Sequence, residues 1–137
     1  MSEIYRVDVE VTAPVYDTEV TSRVIDAVAN IFPNADIDEE FGEVCGEAHA
    51  MDHFSELLHR QEILDTARGE FFSNRDGDSF SFALKKQAAF EDHVNFSVGE
   101  PDELGEIAVR VRVDEPSLEE YVDHIAPPTE DGRPVDA

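Results

Sequence analysis

Residues 4–12 alternate strictly, with Tyr5, Val7, Val9 and Val11 on one side and Arg6, Asp8 and Glu10 on the other. That is the period of a half-buried β-strand, and Ala13-Pro14 ends it. The apolar positions then shift to helical spacing at Val20, Val24, Ala27, Val28 and Ile31. Asp17 or Thr18 is the expected N-cap of this helix and Pro33 its stop. Residues 35–50 read as two strands, near 36–41 and 43–49, joined by a tight turn around Gly42, although Asp38-Glu39-Glu40 is poor strand material. The longest helical stretch runs from about Asp52 to Ser73. Phe54, Leu57, Leu58, Leu64, Phe71 and Phe72 fall within one arc of it, and Asp52 is placed to cap it. Asn74-Arg75-Asp76-Gly77-Asp78 is a turn with the Asp-Gly signal. Phe80, Phe82 and Leu84 next alternate with Ser79, Ser81 and Ala83, a further strand. Residues 85–90 read as one helical turn or an irregular loop, and 99–105 as a loop. Ile107, Val109, Val111 and Val113 alternate with Ala108, Arg110 and Arg112. Ser117 is placed to cap a short last helix ending near Ile125.

The order β-α-β-β-α-β-β-α with alternating strands predicts an α+β fold, a two-layer sandwich whose mostly antiparallel sheet carries its helices on one face. The Val/Phe face is the one the helices cover, which leaves Arg6, Asp8, Glu10, Arg110 and Arg112 on an open face. A single domain over residues 1–126 is expected, with 127–137 a flexible acidic C-terminal tail.

With 41% hydrophobic residues in 137, the chain can bury a core without disulfide or metal. Its single cysteine, Cys45, excludes an intrachain disulfide framework and a multi-cysteine zinc site. No apolar run reaches the roughly 18 residues of a spanning helix, and Met1–Arg6 lacks the basic and apolar regions of a signal peptide. The expectation is a cytoplasmic protein with no membrane partner. Charge changes the picture more. There are 33 Asp+Glu against 10 Lys+Arg, a formal net charge of −23. The acids are dispersed and lysine is scarce, which points to a halophilic chain, because at about 1 M salt the screening length falls to ~3 Å and self-repulsion fades. Any single carboxylate is therefore first a piece of solvated surface. Residues 1–59 hold 14 acids and two bases, 91–137 hold 14 and three, and 60–90 hold five of each. The neutral middle is either buried and internally paired or faces something negative.

Two constellations follow. Gln61, Asp65 and Arg68 form a polar line inside the apolar arc of the long helix. Its simpler reading is an Asp65–Arg68 bridge that fixes helix docking; the functional one is a groove or subunit contact. Basic residues are the second: Arg60, Arg68, Lys85, Lys86, Arg110 and Arg112, with Phe90 and Phe96 as stacking surface for bases. The simpler reading pairs Arg110 or Arg112 with Asp8 or Glu10 across strands. Metal and nucleophile signals are poor. Cys45, His49 and His53 with Asp52 and Glu56 straddle a strand and a helix start, the Asn74–Asp78 loop lacks calcium-loop spacing, and neither a phosphate loop nor a nucleophile elbow is present. No metal, cofactor or catalytic set is expected.

Arg60-Gln61-Glu62-Ile63-Leu64-Asp65-Thr66-Ala67-Arg68 and Leu84-Lys85-Lys86-Gln87-Ala88-Ala89-Phe90, continuing to Val94-Asn95-Phe96, resemble uncharacterised protein family 0201 of archaea. That family sits in a wider RNA-binding group that includes predicted exosome-associated proteins. The resemblance runs from the first strand to Pro127. It implies a fold similar to that of the ribosomal protein that binds 5S rRNA, and no enzyme activity. The expected function is a non-catalytic RNA-associated protein; the alternative is a protein-interaction module or homodimer in an RNA-processing assembly, without direct RNA contact.

Overall fold

The alternation in the sequence becomes a sheet with one dry and one wet face. The computed structural model describes residues 5–97, 105–130 and 133–134, the last pair by backbone alone. The elements are β1 (Arg6–Pro14), α1 (Thr21–Ile31), β2 (Asp36–Glu40), β3 (Glu43–Ala48), α2 (Asp52–Arg60), α3 (Leu64–Ser73), β4 (Arg75–Asp76), β5 (Ser79–Lys85), α4 (Lys86–Ala89), β6 (Glu106–Glu115), α5 (Leu118–Ile125), β7 (Thr129–Glu130) and β8 (Arg133–Pro134). Six strands form one antiparallel sheet in the order β2-β3-β1-β6-β5-β4. This is the α+β sandwich that the alternation predicts.

Val7, Val9, Val11, Phe80, Phe82, Leu84, Ile107, Val109, Val111 and Val113 point to the covered face and are buried. α1 packs against β1 and β3, α3 against β5, and α5 against β6. Phe54, Phe71, Phe80 and Phe82 interlock at the centre of this layer, with Phe71 4.8 Å from Phe80 and Phe54 5.2 Å from Phe82 between ring centroids. Such tilted and offset contacts add to the area the rings already bury.

The expected long helix is two. α2 ends at Arg60 and α3 begins at Leu64, with Glu62 in the left-handed region at φ +58°. Tertiary bonding accounts for the break. Gln61 donates through Nε2 to the Val94 carbonyl and accepts the Val94 N–H at Oε1, both at 2.8 Å. Those two bonds tie the end of α2 to the segment that pairs alongside β5. The apolar arc survives because Leu58 and Leu64 face the same core on either side of the corner.

Capping differs at two helices. α1 is preceded by Val20 with no side-chain cap, and Asp52 lies inside the first turn of α2 behind Met51. Ser117 does cap α5, accepting the Glu120 N–H at 3.1 Å. β7 and β8 pair with each other, and the Thr129 hydroxyl donates to Asp65 at 2.5 Å. The first residues of the expected flexible tail are thus tied to α3, and 131–132 and 135–137 lie outside the described residues.

Candidate nucleic-acid face

The open face is best read as rows across the strands, because register decides which side chains meet. One row runs Ser79, Arg112, Asp8; the next Ser81, Arg110, Glu10, Glu47, Asp36. A third runs Ala83, Ala108, Thr12, Cys45, Asp38, and a fourth Lys85, Glu106 and, past Pro14, Glu43 and Glu40. The face therefore divides. Its β2–β3–β1 half carries Asp8, Glu10, Asp36, Asp38, Glu40, Glu43 and Glu47. Its β6–β5 half carries Arg110, Arg112 and Lys85 among serines and alanines, with Glu106 opposite Lys85 and Asp114 beside Arg112 as its carboxylates. Three adjoining depressions share Glu10. One of about 400 Å³ is floored by Thr12, Ser81, Ala83, Ser97 and Ala108. A second, of about 480 Å³, lies over Cys45 and Gly46, and a third, of about 320 Å³, lies between Asp8, Glu47, Arg110 and Arg112.

The structure does not gather the basic residues singled out in the sequence into one patch. Arg112 donates to Asp8 at 2.5 Å and also meets Asp114, the cross-strand pairing that register allows. Arg60 pairs with Glu56 one helical turn away at 3.2 Å. Arg68 bonds Asp123 at 2.7 Å and the Ala126 carbonyl at 2.8 Å, and its guanidinium lies over the Phe72 ring. Lys86 is fully buried. Its Nζ donates to the Pro14 carbonyl at 2.5 Å and to Glu19 Oε1 at 2.9 Å, above the Tyr16 ring. Its expected role as a phosphate contact is corrected on that ground: the ammonium has no path to a polyanion outside. Phe96 is likewise buried, edge-on to Phe82 at 5.8 Å and beside Phe71. It is a core residue and offers no surface on which a base could stack. Phe90 is half-buried, with the Arg23 guanidinium 5.7 Å from its ring centre. Lys85 and Arg110 share the open face, and neither enters an ion pair with a described residue.

The polar line also resolves differently. Asp65 and Arg68 do not pair with each other. Gln61 binds Val94, Asp65 accepts from Thr129, and Arg68 reaches Asp123 and Ala126. Gln61 holds the segment beside β5, and Asp65 and Arg68 both hold the end of α5 and the residues just after it, so the line docks the corner and α3 without an internal bridge.

One grouping was not visible in the sequence. Asp8, Glu47 and His49 bring ligand-type atoms within 4.8 Å of one another. Strand register, not spacing, unites them. His49 Nδ1 lies 3.1 Å from the Val7 carbonyl and 3.2 Å from Asp8, and Asp8 is already engaged by Arg112. Nearby, burial and then the Glu43 carboxylate push the Cys45 thiol above its ordinary range, with Glu40 and Asp38 adding to it. These surroundings favour the neutral thiol, the less nucleophilic form.

Comparison with known proteins places these features in a family. Residues 8–114, which run from β1 into the end of β6, match a family model described as RNA binding. A UPF0200/UPF0201 protein of Archaeoglobus fulgidus is 42% identical over 94% of this chain, which spans 40% of that relative's length. A UPF0201 protein of Pyrococcus horikoshii is 32% identical, with 94% of this chain and 96% of the relative covered. The crystal structure of a UPF0201 protein from Methanococcus jannaschii superposes with a TM-score of 0.86 at 35% identity, covering 94% of this chain and 99% of that one. A second UPF0201 crystal structure gives 0.83 at 40% identity, covering 93% and 99%. Matched span, identity and structural likeness agree, and the chain belongs to the UPF0201 family and to the family described as RNA binding whose model covers residues 8–114.

Proposed function

We propose that the chain is a non-catalytic RNA-associated protein whose RNA-facing surface is the β6–β5 half of the open face. The observation that carries this is the match of residues 8–114 to a family described as RNA binding. The geometry supports the choice of surface. A polyanion is repelled by the carboxylates of the β2–β3–β1 half. On the other half, Arg110 on β6 lies opposite Ser81, and Lys85 is four residues farther along β5, a separation of about 14 Å, with Ser81, Ala83 and Ala108 as a low floor between them. Arg112 joins them when phosphate exchanges with Asp8. Aromatic stacking has no part in this reading, since Phe96 is buried and Phe90 is half-buried beneath Arg23. The dispersed acid excess supports a halophilic setting. There counterion release contributes less to affinity, and hydrogen bonding and fit contribute more.

Fluorescence anisotropy of the full chain against single-stranded and hairpin RNA, over a series of KCl concentrations, tests this. Arg110→Glu and Lys85→Glu are each expected to weaken binding about tenfold and to lower the salt slope by about one. Glu62→Ala, on the exposed corner between α2 and α3, is expected to leave both unchanged. No binding at any salt, or binding indifferent to Arg110 and Lys85, overturns the reading. A second reading, a protein-interaction module or homodimer, is favoured by the pairing of Arg60, Arg68, Lys86 and Arg112 with the chain's own carboxylates. Sedimentation velocity in high salt separates the two, since a clean monomer that binds RNA excludes the homodimer.

A further inference from the structure

We propose that the free margin of β2 and the turn that follows it form a docking edge for an extended, Lys/Arg-rich segment of another protein. β2 is the outermost strand on its side of the sheet, so along Asp36–Glu40 one line of backbone N–H and C=O groups has no strand partner among the described residues. An unpaired margin is a template for strand addition. Four of its five residues are acidic. None of Asp36, Asp38, Glu39 and Glu40 forms an ion pair with a described residue, and neither does Glu43 just past the turn.

Phe41 adds an independent signal. It is wholly exposed, at 106% of its reference area, and sits at φ +30° where a glycine or asparagine would be at ease. In a chain this polar outside, a whole phenyl ring in water at a conformationally costly position is a site in search of a partner. The turn is anchored, since the Val15 N–H donates to the Gly42 carbonyl at 2.8 Å. That bond brings the β1–α1 loop, with exposed Tyr16 and Val20, to the same end of the sheet.

Charge selects the occupant. A second copy of this chain would set the same four carboxylates against themselves, and an RNA backbone would meet the same repulsion. A cationic extended segment is complementary. Its alternate side chains lie beside Asp36, Asp38 and Glu40 on the open face, its other side chains lie beside Ile37, and an apolar residue covers Phe41. This inference does not depend on RNA binding, because it uses the opposite half of the sheet.

The test uses the full chain and two blocked, labelled peptides of equal composition. One alternates Lys and Val; the other has its lysines contiguous. The alternating peptide is expected to bind by anisotropy and to slow amide exchange at residues 36–40. Phe41→Ala is expected to weaken that binding about tenfold, the scale of one buried phenyl group. Because Phe41 is fully exposed, the variant should keep the wild-type melting temperature, which circular dichroism checks. Equal binding of the contiguous peptide, binding indifferent to Phe41→Ala, or self-association of the chain that Phe41→Ala abolishes would each overturn the proposal.

Discussion

The covered and open faces of the sheet handle charge in opposite ways. On the covered side, a charge is admitted singly and enclosed by named partners: Lys86 has the Pro14 carbonyl, Glu19 Oε1 and the Tyr16 ring. On the open side, charges lie in rows set by register and most face water. The first arrangement concerns stability, because removing one member leaves the other stranded. The second concerns what the surface can meet, and each member can change without disturbing the fold. Lys85 and Lys86, neighbours in sequence, fall on the two sides of this division.

The sharpest way to break the contrast is to remove the buried ammonium. Lys86→Met should cost about 3–5 kcal/mol in thermal or urea unfolding, since the Glu19 carboxylate would remain buried and unmatched. Its Oε2 already lacks a partner among the described residues. Adding Glu19→Gln should recover most of that loss, whereas Lys85→Met should stay within about 0.5 kcal/mol. Equal losses for the two lysines would erase the distinction. Lowering KCl is the next test. Amides of residues 36–47, among the unpaired carboxylates, should lose protection by on the order of 1 kcal/mol more than those of 107–113. Uniform loss would mean that the repulsion is spread over the whole molecule. The smallest effect concerns Cys45. With its thiol pKa raised, alkylation at mildly alkaline pH should run slower than in the urea-unfolded chain. Because the neutral thiol is the favoured form in the folded state, its contribution to stability holds at low pH and is lost as pH rises through the raised pKa.

Much of the sheet was legible because strict alternation leaves few alternatives. β1, β5 and β6 carry Val, Phe and Ile on one side and polar or small residues on the other, and the structure buries that apolar side. Ser117 announced its own helix. The corner at Gln61-Glu62-Ile63 was not legible, because no glycine, proline or asparagine marks it. The left-handed Glu62 follows Gln61, whose side chain is bonded to Val94, more than thirty residues away. Lys86 and Phe96 were misread for one reason: their burial is decided by segments remote in sequence, Pro14 and Glu19 for the lysine, Phe71 and Phe82 for the ring. The rows of the open face needed register, which period alone does not supply. That is why the alternation found Arg110 and Arg112 but could not bring Asp8, Glu47 and His49 together.

The paired bonds between Gln61 and Val94 reach beyond the corner they create. A glutamine amide presents a donor and an acceptor much as a peptide unit does, so it can stand in for one residue of a neighbouring strand. The chain beside β5 is thereby capped from within at Val94, while the opposite border of the sheet stays open. Endless stacking of strands from copy to copy requires two receptive borders. At Val94 a side chain already fills one such place, so strand addition beside β5 cannot begin there.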